Sequence, residues 1–176
     1  MKSNTIRILA LCAMLASGWA SAHDEHEGHD HDTRAIGTAG DAAKATRTVT
    51  IDMSDAMRFT PANVQAKQGE TIRFVVKNSG KVKHEFVLGT AEALKEHYEL
   101  MKKFPEMEHS DPNMVTVAPG QTGEVIWQFT KSGKIDFACL QPGHYDAGMK
   151  GAVMVMDKKM SGHDAKTMDG HSNHQH

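Results

Sequence analysis

Between Thr46 and Asp157 apolar and polar residues alternate with a period close to two. Val49, Ile51 and Met53 form one run, Ile72, Phe74 and Val76 a second, and Val125, Trp127 and Phe129 a third. Such alternation puts every second side chain on one face of a strand. Phe59-Thr60-Pro61 with Val64 reads as a short, interrupted edge segment, because proline cannot donate to a ladder. Gly69-Glu70, Asn78-Ser79-Gly80, Pro119-Gly120 and Ser132-Gly133 separate the runs as turns. Short strands spaced in this way predict an all-β sandwich or barrel.

One stretch has another period. Ala91, Leu94, Tyr98, Met101 and Phe104 recur at helical spacing from Thr90, which suits an N-cap. Lys102 and Lys103 favour the carboxyl end and Pro105 stops the run. The pattern predicts one amphipathic helix inserted between strands, with its Tyr and Met stripe packed into a core.

The flanks differ in composition. Residues 23–45 and 158–176 are polar, and the second stretch is rich in His, Met, Gly and Ser. Neither carries enough apolar surface to offset ordering entropy, so both are expected to be disordered tails without metal. The globular domain is expected over 46–157, a length that suits a single domain.

Residues 1–22 read as a signal peptide. Lys2 and Arg7 give a basic start, Ile8 to Ala16 is apolar and uncharged, and Ala20-Ser21-Ala22 is a small-x-small cleavage pattern. The apolar run is shorter than the roughly 20 residues of a spanning helix. Leu11 is too large for a lipobox ahead of Cys12. Cleavage after Ala22, export to the periplasm and a soluble mature chain without a membrane span are therefore expected. Removal of Lys2 and Arg7 takes no acid with it, so a net charge of −2 becomes more negative by two. An acidic balance argues against a nucleic-acid partner, whose phosphates require a basic face.

Of the 2 cysteines, Cys12 leaves with the signal and Cys139 stands alone. A solitary thiol in an exported protein suggests a reactive thiol, an intermolecular bridge or a metal ligand. Composition does not choose among these, but the neighbours of Cys139 do. Strand parity through Ile135 and Phe137 turns Cys139 inward, and parity through Phe86 and Leu88 does the same for His84. After Cys139 the chain reads Leu-Gln-Pro-Gly-His144-Tyr-Asp-Ala-Gly-Met149. Pro142, Gly143 and Gly148 let that loop curl so that its donors converge, with His84 as a fourth from a distant strand. Two imidazoles, one thiolate and a weak thioether are the donor set of a blue-copper site. Each residue alone reads as packing: a lone buried His, a core Met, an inert thiol. Their co-occurrence points to one copper ion.

The segment Phe137-Ala-Cys-Leu-Gln-Pro-Gly-His-Tyr-Asp-Ala-Gly-Met-Lys-Gly151 resembles the copper loop of plastocyanin/azurin-type cupredoxins. Its Cys-x4-His-x4-Met spacing is similar to that of auracyanins. Met57-Arg-Phe-Thr-Pro, Gly69-Glu-Thr-Ile-Arg-Phe and His84-Glu-Phe-Val-Leu-Gly89 extend the resemblance over nearly all of 46–157. It implies a Greek-key β-sandwich with type 1 copper near one end. It also implies that His84, Cys139 and His144 are equatorial ligands and Met149 the axial one. Two positions depart from the family pattern: Glu85 stands where many members carry Asn, and Lys83 where azurins carry Gly. Both bear on the site's geometry and potential, and a distorted, green site with stronger Met bonding is compatible with them. Ala138 and Leu140 flank the cysteine, which excludes the histidine-flanked arrangement of multicopper oxidases. A dinuclear electron-entry site would need two cysteines.

Eight histidines lie in the tails: His23, His26, His29 and His31 in front, His163, His171, His174 and His176 behind. The front group is interleaved with Asp24, Glu25, Glu27, Asp30 and Asp32, and the rear carries Met160 and Met168. Imidazole and carboxylate suit copper(II) and thioether suits copper(I), so additional weak copper binding is expected there. Cleavage after Ala22 would also set a free α-amine beside the His23 imidazole. Met107, His109 and Met114 read as loop and core rather than as an auxiliary site. The whole pattern looks like the CopI-like cupredoxins of bacterial copper tolerance. That resemblance implies periplasmic copper handling: capture, buffering and some redox chemistry of the ion. The alternative is a soluble electron-transfer carrier. An enzyme, limited to oxidation of copper(I), is the weaker reading because no open substrate position is visible. Expected partners are copper ions with a redox protein or copper-export machinery, and the chain is expected as a monomer.

Overall fold

The computed structural model describes residues 33–105, 107 and 110–158. Its strands are β1 (Thr38–Ala39), β2 (Arg47–Ser54), β3 (Arg58–Thr60), β4 (Asn63–Lys67), β5 (Thr71–Asn78) and β6 (His84–Gly89). After helix α1 (Ala91–Lys103) come β7 (Met114–Val117), β8 (Thr122–Gln128), β9 (Gly133–Ala138) and β10 (Lys150–Met156). Among the described residues they form two five-stranded sheets, ordered β1-β8-β5-β2-β3 and β4-β10-β9-β6-β7. β2 runs parallel to β5 and β4 parallel to β10, and the other neighbours are antiparallel.

The period-two runs supply the inner faces. Ile51, Met53, Ile72, Phe74, Val76, Val125, Trp127 and Phe129 are buried against Phe86, Leu88, Ile135, Phe137 and Val153 of the second sheet. Aromatic rings bridge the layers: the ring centroids of Phe74 and Phe86 lie 5.4 Å apart, and those of Phe59 and Phe137 lie 5.1 Å apart. The edge segment at Phe59 to Val64 resolves into two strands, β3 at the edge of one sheet and β4 at the edge of the other. Pro61 lies between them and donates to neither ladder.

Helix α1 begins where expected, with Thr90 Oγ1 accepting the Ala93 N–H at 3.1 Å. Leu94, Tyr98 and Met101 pack with Val87, Ala138 and Leu140 in a second cluster. By strand alternation those sheet residues point away from the inner core, so α1 covers the outer face of the second sheet. That double cover leaves every residue of β6 buried. The expected helical stripe is wider than the buried one. Ala91 is exposed and Phe104 is 54% exposed. At 3.6 residues per turn Phe104 lies about 90° round from the centre of the buried stripe, and its φ of −132° takes it out of the helix.

Within the polar stretch 23–45, expected to be disordered, residues 33–45 are ordered. β1 pairs with β8, Thr38 opposite Gln128 and Ala39 opposite Trp127. Ile36 is 1% exposed and its carbonyl accepts the Trp127 Nε1–H at 3.0 Å. A buried indole needs such an acceptor, and one apolar plug with an edge strand is too short to register as a periodic run. Residues 23–32 and 159–176 lie outside the described residues. No helix among the described residues is long and apolar enough to cross a membrane.

Glu70 joins three segments at the β4–β5 turn. Oε2 accepts the Lys67 N–H at 2.8 Å, and Oε1 accepts Arg47 Nε at 2.7 Å and the Thr46 hydroxyl at 3.4 Å. Burial works against the charged carboxylate, but the bonds from Arg47, Lys67 and Thr46 outweigh it and lower its pKa. A lowered folded pKa contributes stability that is full above the ordinary carboxylate range and is lost as pH falls through the folded value. Glu70→Gln should therefore be less stable at neutral pH and lose less on acidification, read as urea midpoints from about pH 7 to pH 3. Phe74→Ala empties a site between both sheets and should cost about 3–5 kcal/mol in urea unfolding of the metal-free protein.

Candidate metal centre

His84 opens β6, Cys139 follows the last residue of β9, and Met149 precedes β10. Pairing of β6 with β9 and of β9 with β10 brings these three strand ends to one end of the sandwich. The loop from Cys139 to Met149 is a series of turns: His144 N donates to Gln141 O, Ala147 N to Gly143 O and Met149 N to His144 O, each at 3.0 Å. Gly143 at φ 84° and Gly148 at φ 89° take the left-handed conformations these turns require. Cys139 N donates to Met149 O at 3.1 Å and closes the loop at its base.

The loop's curl and the parity of β6 bring three donors together. His84 Nδ1 lies 3.2 Å from His144 Nδ1, Cys139 Sγ lies 3.3 Å from His144 Nδ1, and Sγ lies 4.0 Å from His84 Nδ1. A triangle with those sides has a circumradius of about 2.1 Å, close to the bond length of a first-row metal to imidazole nitrogen. Three nitrogen and sulfur donors can thus hold one ion at bonding distance with little movement. His84, Cys139 and Met149 are fully buried, while His144 is partly exposed. Met149 packs in the same core cluster as Cys139.

Burial sets the protonation of the metal-free donors. It pushes the Cys139 thiol up to about 12, against the opposing pull of the Glu85 and Gln141 backbone N–H groups. The Glu85 N–H donates to Sγ at 3.3 Å. Burial lowers the His144 pKa, and the neighbouring His84 lowers it further. On the far side of His84, Nε2 lies 3.4 Å from Asp55 Oδ1. The Lys81 N–H above all holds the Asp55 carboxyl below its usual range, with Val82 and His84 adding to the effect.

The surroundings include residues whose part the sequence did not reveal. Glu85, the departure from the family's Asn, accepts a hydrogen bond from Gln141 Nε2 and another from Thr116 Oγ1 at 3.4 Å. It therefore ties the ligand loop to β7, and the loop-bridging role survives through a different pair of side chains. Arg58 Nη1 donates to Ala147 O at 2.8 Å and Met57 O at 2.7 Å, fixing the far side of the loop. Tyr98 reaches the loop from the helix: its hydroxyl donates to Asp146 Oδ2 at 2.8 Å and accepts the Gly143 N–H at 3.1 Å. Its ring stacks on Tyr145 at 4.9 Å. Helical periodicity marks Tyr98 as core but cannot show where its hydroxyl goes. Met114 is a core residue and Met107 is exposed. His109 and the tail histidines His23, His26, His29, His31, His163, His171, His174 and His176 lie outside the described residues.

A family model for copper binding proteins of the plastocyanin/azurin family matches residues 45–156. The copper-resistant cuproprotein CopI of Rubrivivax gelatinosus is 49% identical over 165 residues, spanning 88% of this chain and 99% of that protein. Its namesake from Pseudomonas aeruginosa is 37% identical over 151 residues, spanning 69% and 83%. Among solved structures, reduced auracyanin from Roseiflexus castenholzii superposes with a TM-score of 0.55 at 20% identity, covering 64% of this chain and 98% of that one. Auracyanin B superposes at 0.57 with 21% identity, covering 69% and 96%. These structural likenesses establish a shared cupredoxin fold. With a family match across most of its length and relatives this similar, the chain belongs to the plastocyanin/azurin family of copper-binding proteins.

Proposed function

We propose that this protein handles copper in an exported compartment, capturing and buffering the ion so as to raise the cell's tolerance of it. The observation that carries the reading is the convergence of His84 Nδ1, His144 Nδ1 and Cys139 Sγ around a point about 2.1 Å from each. Relatives named for copper resistance support it. In this reading His84, Cys139 and His144 are the strong ligands and Met149 is the weak one, making a type 1 centre. Bound copper supplies a one-electron couple between copper(I) and copper(II). The residues hold thiolate and imidazole in one arrangement for both states. The tail histidines take further ions more weakly, and the signal at residues 1–22 directs export. No catalytic turnover is part of the proposal.

A soluble electron carrier is the second reading. One observation favours it: His144 is the donor that reaches the surface, which gives an electron a short route in and out. Growth separates the two. A strain lacking the gene should fail at copper concentrations its parent tolerates, and a Cys139→Ala copy should not restore growth. Intact copper tolerance with slowed respiration would instead favour the carrier.

The buried thiol has a direct consequence for binding. A coordinating thiol must lose its proton, and one held near 12 is protonated at neutral pH. Copper uptake should therefore release that proton, and the thiol alone should make affinity rise about tenfold per pH unit below 12. A competition titration at several pH values measures the slope. The copper(II) form should show an intense thiolate-to-metal absorption band that Cys139→Ala abolishes.

A further inference from the structure

The two ring nitrogens of His84 face different surroundings. Nδ1 looks into the donor triangle, 3.2 Å from His144 Nδ1 and 4.0 Å from Cys139 Sγ. A neutral imidazole that offers Nδ1 to a metal carries its proton on Nε2. That atom is buried, and no group among the described residues completes a hydrogen bond to it. A buried donor in this position is costly unless an acceptor can reach it.

Asp55, in the turn between β2 and β3, is in reach. Its Oδ1 lies 3.4 Å from Nε2, an ion-pair separation that stops just short of a hydrogen bond. A small rotation of either side chain would complete one. The carboxylate is itself anchored. Lys81 N donates to Oδ1 at 3.0 Å and to Oδ2 at 2.8 Å, and Val82 N donates to Oδ1 at 3.4 Å. Gly80 makes room for it, since a Cβ there would collide with Oδ1. A residue of the first sheet's β2–β3 turn is thus held by the segment leading into β6, directly behind the first ligand of the second sheet.

We propose that Asp55 is a positioning residue for His84. It keeps the imidazole in the Nε2–H form and presents the Nδ1 lone pair to the metal. It also sets a negative charge behind the ring, which favours copper(II) over copper(I). The inference rests on the ligand reading given above. Carboxylates paired with ligand histidines orient the ring and raise its basicity, and their loss typically weakens metal binding by about 10–100-fold. Here the higher-charged ion should suffer more, because the lost charge interacts more strongly with it.

The test uses copper-loaded full-length protein with Asp55→Asn and Asp55→Ala. Asn keeps an acceptor oxygen for the Lys81 and Val82 N–H groups and removes the charge. Both variants should retain the thiolate-to-copper band. Asp55→Ala should lower the copper(II)-to-copper(I) affinity ratio about tenfold, a rise in midpoint potential of about 59 mV for one electron. Asp55→Asn should move the potential the same way by less. Midpoints equal to the parent's in folded variants would overturn the proposal. The parent protein supplies a reading that no variant's folding affects. Nitrogen-edited NMR of its diamagnetic copper(I) form should show the His84 proton on Nε2, slow to exchange. A rapidly exchanging Nε2 proton, or a proton on Nδ1, would also overturn it. Absence of the thiolate band from the parent itself would overturn the ligand reading and this inference with it.

Discussion

Three lone-pair donors within 4.0 Å of one another, two of them fully buried, repel unless a cation or proton lies among them. Much of the architecture bears on that one constraint. His84 sits in a strand flanked by β7 and β9 and covered on both faces, so its ring has little freedom to turn away. Cys139 is fixed by its own N–H to Met149 O and by the Glu85 N–H on its sulfur. The loop that carries His144 is held by Arg58 on one side and by Tyr98, through Asp146, on the other. Donors set in this way need little ordering when an ion arrives, and ordering is a main cost of binding.

The inserted helix serves the same end. Without α1, the outer face of the second sheet would present Val87, Ala138 and Leu140 to water. Covering it buries apolar surface worth roughly 25 cal/mol per Å². The same contact brings Tyr98 against the ligand loop, so helix packing and loop geometry are mechanically one unit. The ordered segment before β2 acts at the opposite sheet. There Ile36 and β1 close the edge beside Trp127.

The legible parts were those where one periodicity decides. Val49 to Met53, Ile72 to Val76 and Val125 to Phe129 announce their strands, and parity alone turns Cys139 and His84 inward. All three donors of the triangle followed from chemistry and spacing together. What stayed hidden depends on contacts far apart in sequence. Asp55, three residues before Arg58 in a turn, looks like an ordinary polar turn residue until the fold sets it behind His84. Glu85 looks like a loss of the family's loop-bridging Asn until Gln141 is found beside it. Ile36 is the one large apolar residue in a polar stretch, and the indole of Trp127 gives it a reason to be ordered.

Composition alone gives the solitary cysteine three readings, and burial discriminates among them as its sequence neighbours do. A reactive thiol must be reachable and partly ionised, and Cys139 is fully buried with its proton held to about 12. An intermolecular disulfide requires its sulfur at the surface, whereas this one points into the core with Phe137 and Met149. An inert buried thiol would fit the burial, but two imidazole nitrogens would have no reason to converge on it. The backbone N–H of Glu85 donated to Sγ is also more use to a thiolate than to a thiol, because a charged acceptor strengthens the bond. A site that disfavours the free thiolate yet is wired to receive one suits a cysteine that ionises when a metal takes the proton's place.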